Sequence, residues 1–341
     1  MKTAIRLTII AALVLVVVQP AASVFINPDL VKGTSLFEGF GAGTHIGTRR
    51  LFAWSNESGR GGNGLVAFAE TNGGTLTLIN ARRTEAFVGG FDQGTDRVVY
   101  QQVRRGESDL FLFDIGARER TALRALNDGH WQWNPSIDTH RGTTWFAYGV
   151  NRFGSPAAKW KFYLHNGETG ERILLDETTN RCGCLFPGTI AYPWVTWAVG
   201  DDATAWRYDI RTGERTPLLP TDRDEYGVAV TPDGTAYVAQ GGDRCGSNSE
   251  LYRVDPDGTP FLLHEFAEGR EGTNLSVDTT GPRDRLYFDR RSCRAGSSDI
   301  LRLRRAESIG EPAVPARGAG GPAVGAVKRS GASSGASPRT R

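Results

Sequence analysis

Apolar and polar positions along this chain fall into short runs that recur at a long, nearly regular interval. The clearest runs start at Leu51, Val98, Trp145, Val195, Ala236 and Leu286, and read LFAW, VVYQ, WFAY, VTWA, AYVA and LYFD. Successive starts lie 47, 47, 50, 41 and 50 residues apart. A second run follows each: LVAF from Leu65, LFLF from Leu110, KFYL from Lys161, AWRY from Ala205, LYRV from Leu251 and ILRL from Ile300. Runs this rich in Val, Tyr, Phe, Trp and Leu, and bounded by Gly and Asp, predict strands rather than helices. No amphipathic helical period stands out after residue 23.

Turn chemistry separates the strands. DIGARERT from Asp114, NGETGER from Asn166, DIRTGERT from Asp209 and DPDGT from Asp255 follow the second runs. Gly supplies positive φ there, and Asp and Asn bond their own backbone. Third runs come next: TLTLI from Thr75, RILLD from Arg172, TPLLP from Thr216 and PFLLH from Pro260. Each unit opens on a stretch such as NPSID from Asn134, GVAVT from Gly227 or NLSVD from Asn274, which reads as its shortest strand. About four strands per unit, at roughly 40 to 50 residues, is the spacing of propeller blades. The pattern predicts an all-β, six-bladed β-propeller with four-stranded blades over residues 24–305. The last unit ends at ILRLRR without a fourth strand, and SVFIN at 23–27 is the candidate to complete it and remove an open edge.

The two ends differ from the body. Residues 1–23 read as a signal peptide: Lys2 and Arg6, an apolar stretch from Leu7 to Val18, then Ala21-Ala22-Ser23. The apolar stretch is shorter than the roughly 20 residues a spanning helix needs, so cleavage and export without a remaining anchor are expected. Residues 306–341 hold Gly, Pro, Ala and Ser with no aromatic residue, a composition that predicts a disordered basic tail. The chain's formal net charge of +2 becomes −3 once both ends are set aside. A near-neutral body argues against a general electrostatic grip on nucleic acid.

Four cysteines suit an exported protein. Cys245 and Cys293 occupy matching places in consecutive units, which makes them an attractive disulfide and leaves Cys182 with Cys184. Four cysteines allow three pairings, and sequence does not choose among them. Their spacing does not match zinc-ligand pairs, so no metal or cofactor is expected.

VAVTPDGTAYVA at Val228 to Ala239 resembles the S-P-D-G strand turn of the TolB-like β-propellers, relatives of the WD40-type repeats. Arg152-Phe153-Gly154-Ser155 and Arg294-Ala295-Gly296-Ser297 resemble a further R-x-G-S element of that family, and RRGES at Arg104 to Ser108 is a looser copy. The resemblance spans residues 37–305 and is close only over 226–264. It implies the propeller fold and no particular activity. The family's namesake carries a separate domain ahead of its propeller, whereas about a dozen residues separate the expected signal peptide from the first unit here, so a role in its envelope complex is not implied.

Two groups of residues are candidates for binding. Trp131 and Trp133, in NDGHWQWNPSID, stand where a loop reaches the channel mouth; their faces could stack on sugar or hold a peptide, or seal the rim. Arg105, Arg152, Arg244 and Arg294, with Arg60, Arg104, Arg290 and Arg291, fall in equivalent loops that share one face. They could receive an anionic group or brace neighbouring loops. Catalytic patterns are thin: the five His are scattered, with neither an H-E-x-x-H pair nor a G-x-S-x-G elbow. The function expected is a secreted, periplasmic or cell-envelope binding module, monomeric, for a protein or polysaccharide of the envelope or exterior. The alternative is an extracytoplasmic hydrolase or lyase acting on carbohydrate or lactone substrates. Convergence of His130, His140 and nearby acids would favour the second.

Overall fold

The structure, a computed structural model, describes residues 29–32, 38–58, 63–70, 77–78, 85–151, 159–178, 185–199, 204–219, 225–241, 249–281, 284–292 and 298–304. Every regular element among them is a β-strand, and the strands form six four-stranded antiparallel sheets. The chain is an all-β propeller with four-stranded blades.

The first sheet holds β2 (Glu38–Ile46), β3 (Arg49–Ser58), β4 (Asn63–Glu70) and β5 (Thr77–Leu78). The second holds β6 (Glu85–Phe91), β7 (Arg97–Arg104), β8 (Glu107–Asp114) and β9 (Glu119–Ala122). The third holds β10 (Trp131–His140), β11 (Thr143–Asn151), β12 (Trp160–Asn166) and β13 (Arg172–Thr178). The fourth holds β14 (Leu185–Ala191), β15 (Trp194–Val199), β16 (Thr204–Asp209) and β17 (Arg215–Pro217). The fifth holds β18 (Glu225–Val230), β19 (Ala236–Gln240), β20 (Glu250–Val254) and β21 (Pro260–Glu265). The sixth holds β22 (Arg270–Asp278), β23 (Arg285–Ser292), β24 (Ser298–Arg304) and, from the start of the chain, β1 (Asp29–Lys32).

The first strand of each sheet packs on that of the next, and β22 packs on β2, so the first strands line a closed ring. β1 runs antiparallel to β24, with Leu30 opposite Leu301, and closes the last sheet. This closing strand is Asp29–Lys32; residues 23–27, expected in that role, lie outside the described residues, as do 1–23, 306–341 and all four cysteines.

Second strands were the easiest to read because both faces are covered. Val98, Val99 and Tyr100 of β7 are all fully buried, and so is every residue of β19. A strand buried on both faces shows a continuous apolar run in sequence. Core clusters bridge neighbouring sheets, as where Ala42, Leu51 and Ala53 meet Val88, Val98 and Tyr100.

First strands corrected the expectation. They are not the shortest: β10 spans ten residues, while the outer β5, β9 and β17 span two, four and three. A β-bulge interrupts each first strand, and the extra residue breaks the alternation that marks a strand.

Turns follow their chemistry. In Thr231–Thr235 the Thr231 amide donates to Thr235 O, and Gly234 takes φ +88°. Asp255–Thr259 repeats the pattern with Gly258 at +91° and is likewise a hairpin turn. Arg105 and Gly106 both have positive φ, 53° and 83°, which is the two-residue turn that matches strand twist.

Candidate functional site

Residues at or next to the bulges ring the axis. Phe40-Gly41, Val88-Gly89, Asn134-Pro135, Pro187-Gly188, Gly227-Val228 and Asn274-Leu275 face one another around a central cavity. Close approach selects these residues. A methyl group on Gly89 would overlap the Pro135 carbonyl, and one on Gly227 would lie 2.7 Å from Leu275 Cδ1. Phe40, Asn134 and Asn274 instead adopt positive φ of 57°, 47° and 50°. Asn tolerates that region; for Phe40 it is a strained conformation held by its surroundings.

Along the axis lies a second chamber, bounded by Ala42, Phe91, Ile137, Ile190, Val230 and Val277. Each has a cavity volume of about 30 Å³. That is room for one or two water molecules. It is far too little for a sugar or a peptide segment.

Side chains of the second strands reach across to hold the next sheet's bulge. Ser55 Oγ accepts from Val88 N at 2.8 Å, and Gln101 Oε1 accepts from Asn134 N at 3.3 Å. Asp289 Oδ2 accepts from Phe40 N at 3.0 Å and from Asn274 Nδ2 at 2.7 Å. Asp289 is fully buried, and burial pushes its carboxyl up to about 7. At the other end of the first strands, Asp138 accepts from Tyr192 N at 2.8 Å, and its carboxyl is also raised by burial. Asp278 takes His45 Nδ1 at 2.6 Å and Thr280 Oγ1 at 2.6 Å.

Trp131 and Trp133 lie within β10 rather than ahead of it. Trp131 is half-buried at the strand's start. Trp133 packs edge-on against Trp160 with centroids 5.2 Å apart, and its indole covers Gly149, where any Cβ would collide with Nε1. Arg104 and Arg105 are exposed at the β7–β8 turn. First strands start where second strands end, so this turn and Trp131 belong to the same face. Arg152, Arg244, Arg294, Arg60, Cys245 and Cys293 lie outside the described residues. Arg290 and Arg291, expected in a loop, lie within β23, where Arg290 pairs with Asp299 at 2.7 Å and Arg291 with Glu271 at 3.6 Å.

The histidines do not converge. His130, ahead of β10, pairs with Asp128 at 3.0 Å, whereas His140 ends the same strand and stacks on Tyr192 at 4.3 Å. A strand of that length separates the two by roughly 30 Å. His165 sits in β12, two strands away from β10 in the same sheet, and His264 in β21 of the fifth sheet, and burial lowers both below the usual imidazole range. Among the described residues no group of three or more His, Cys, Asp or Glu is placed to hold a metal.

No family model matches the chain, and no curated protein matches it. Solved structures do. A calcium-binding protein, regucalcin, from Agrobacterium tumefaciens is 14% identical, with 85% of this chain and 98% of that one covered and a TM-score of 0.51. A sialidase from Trypanosoma rangeli is 7% identical, covering 84% and 60%, with a TM-score of 0.52. TolB from Acinetobacter baumannii is 12% identical, covering 72% and 60%, with a TM-score of 0.47. The chain thus spans 60% of the TolB and sialidase chains it matches. What is shared is the propeller fold.

Sequence reasoning missed one recurring feature of the sheet seams. Arg120, Arg172 and Arg215 each begin or nearly begin a fourth strand and stack over an aromatic ring of the third. The guanidinium carbon lies 4.7 Å from Phe111, 3.7 Å from Tyr163 and 3.8 Å from Trp206. Arg172 also binds Asp128 at 3.1 Å, and Arg215 binds Asp176 at 2.7 Å. The signal was present as Glu-Arg closing DIGARER, NGETGER and DIRTGER at one spacing. These turns read as Gly, Asp and Asn chemistry, and the Glu-Arg pair carried no weight.

Proposed function

We propose that this chain is an extracytoplasmic, six-bladed β-propeller that binds a protein or polysaccharide of the envelope or exterior on the face bearing Trp131 and the β7–β8 turn. The blade count rests on the six sheets and the ring of first strands. Export rests on the signal-like residues 1–23. The observation that carries the binding reading is the size of the axial chambers, about 30 Å³ each. A ligand larger than a few waters has to be met on a face. On this face an indole is half-exposed and two arginines are exposed, a combination suited to stacking and to carboxylate or sulfate groups.

The test is capture from envelope extract and from a polysaccharide panel by the chain from residue 24 onward, with Trp131→Ala and Arg105→Asn made singly. Asn is at home at positive φ, so it removes the Arg105 charge without straining the turn. Capture lost in both variants, with melting unchanged, supports the reading. Capture unaffected by either moves the ligand elsewhere. Turnover of a carbohydrate or lactone without stable capture would replace it with the hydrolase or lyase reading.

A further inference from the structure

The geometry points to Asp289 as a proton-dependent latch on the seam that closes the ring: its protonated form shuts β23 of the last sheet onto β2 of the first, and ionisation loosens that seam. Three seams share one device, a second-strand side chain accepting an amide of the next sheet's bulge. Two of them use a neutral group, Ser55 for Val88 N and Gln101 for Asn134 N. The closing seam alone of these three uses a carboxyl, Asp289 for Phe40 N. Asp289 is fully buried, and its Oδ1 has no hydrogen-bond partner. An ionised carboxylate in an apolar setting that only neutral donors reach is costly, and opening the seam to water relieves that cost.

Among the described residues, the groups bonded to it do not supply a countercharge. The contacts that favour its charged form come from neutral donors, namely Asn274 Nδ2 and the backbones of Phe40 and Gly41, and burial outweighs them. On β2, His45 is engaged with Asp278 of β22 at 2.6 Å, and Arg285 of β23 lies 3.7 Å from the same carboxylate. Glu271 of β22 faces Arg291, and Arg290 of β23 faces Asp299 of β24. Arg50 of β3 and Arg302 of β24 act on Tyr287, whose hydroxyl is raised by burial.

The sign follows from linkage. A carboxyl near 7 in the closed seam and near its ordinary value in the open one makes the closed seam hold the extra proton between those limits. Opening therefore becomes easier as pH rises through that window and levels off above about pH 7. Between pH 5 and pH 8 the open fraction should grow by about 100-fold.

Amide hydrogen exchange of the whole chain reads this directly. Phe40 N–H, held by Asp289, reports the closing seam, and Val88 N–H, held by Ser55, reports a neutral one. Each rate is corrected for its intrinsic value, and their ratio cancels shared pH effects. The ratio should rise about 100-fold from pH 5 to pH 8 in the wild type. It should stay flat in Asp289→Asn, which keeps an acceptor and removes the charge. In His45→Gln the rise should persist. A flat ratio in the wild type, or an undiminished rise in Asp289→Asn, overturns the proposal. Should Asp289→Asn not fold, Asp289→Ser copies the Ser55 arrangement, and the wild-type ratio remains decisive by itself.

Discussion

The indole N–H of Trp197 donates to Asp176 Oδ2 at 2.6 Å, joining a fully buried ring of the fourth sheet to the outer strand of the third. The same oxygen takes Arg215 at 2.7 Å, and that guanidinium lies 4.8 Å from the Trp197 ring and 3.8 Å from the Trp206 ring. One carboxylate thus fixes an indole and an arginine across a seam. Phe at position 197 would keep most of the packing and lose the donor. Trp197→Phe should cost about 1–3 kcal/mol in urea unfolding, combining the lost bond with a smaller ring. A loss below a few tenths would show that the bond adds nothing beyond packing.

Adjacent glycines in β6 should respond oppositely to the same change. Gly89 faces the Pro135 backbone so closely that a methyl group cannot fit, whereas Gly90 has nothing within 4 Å of a built Cβ. Neither has positive φ. Gly89→Ala should therefore lose about 3 kcal/mol or more, or fail to fold, because backbone rather than a flexible side chain must move. Gly90→Ala should fall within about 1 kcal/mol of wild type. Thermal or urea melts of the pair decide the matter, and equal behaviour would mean that β6 and β10 sit farther apart than described.

These positions also show what the sequence could and could not tell. Strands buried on both faces, such as β7 and β19, were legible as continuous apolar runs, and the Gly turns after β20 and β18 were legible from their chemistry. First strands were hard to delimit, since GFGAG at 39–43, VGGF at 88–91 and WNPS at 133–136 look like turns when read locally. Their Gly, Asn and Pro answer a constraint that exists only once six strands meet at one axis. Trp133 was misleading for a similar reason: an indole beside a polar stretch looks exposed until Gly149 appears beneath it. Asp289 gave no local sign at all, because its meaning depends on Phe40, 249 residues away in sequence.

Acid should act on the second-to-third sheet contact. Burial works against ionised Asp128, yet bonds from Arg172 and His130 prevail and hold its carboxyl below the usual range. A lowered carboxyl adds stability that is present above its ordinary value, near pH 4, and is lost as pH falls through the folded value. The stability of the wild type should therefore drop more steeply below pH 4 than that of Asp128→Asn. At pH 7 the variant should be the less stable of the two. Urea midpoints from pH 2.5 to 7 test this, and parallel curves would remove Asp128 from the account.

Trp131 and Trp133 should separate when mutated singly, and the outcome bears on how any ligand test is read. Trp133 packs against Trp160 and covers Gly149, so Trp133→Ala opens a void beside a backbone that no side chain can fill. A loss of about 2–4 kcal/mol is expected, the lower part of the range reflecting incomplete burial. Trp131, at the strand's start and half-exposed, should cost less than half as much when replaced by Ala. Capture lost in a double variant would then confuse unfolding with a missing contact. Capture lost in Trp131→Ala at unchanged melting temperature would assign that indole to the ligand. If Trp131→Ala instead proves as destabilising as Trp133→Ala, both indoles belong to the packing, and the arginines of the β7–β8 turn become the first residues to test.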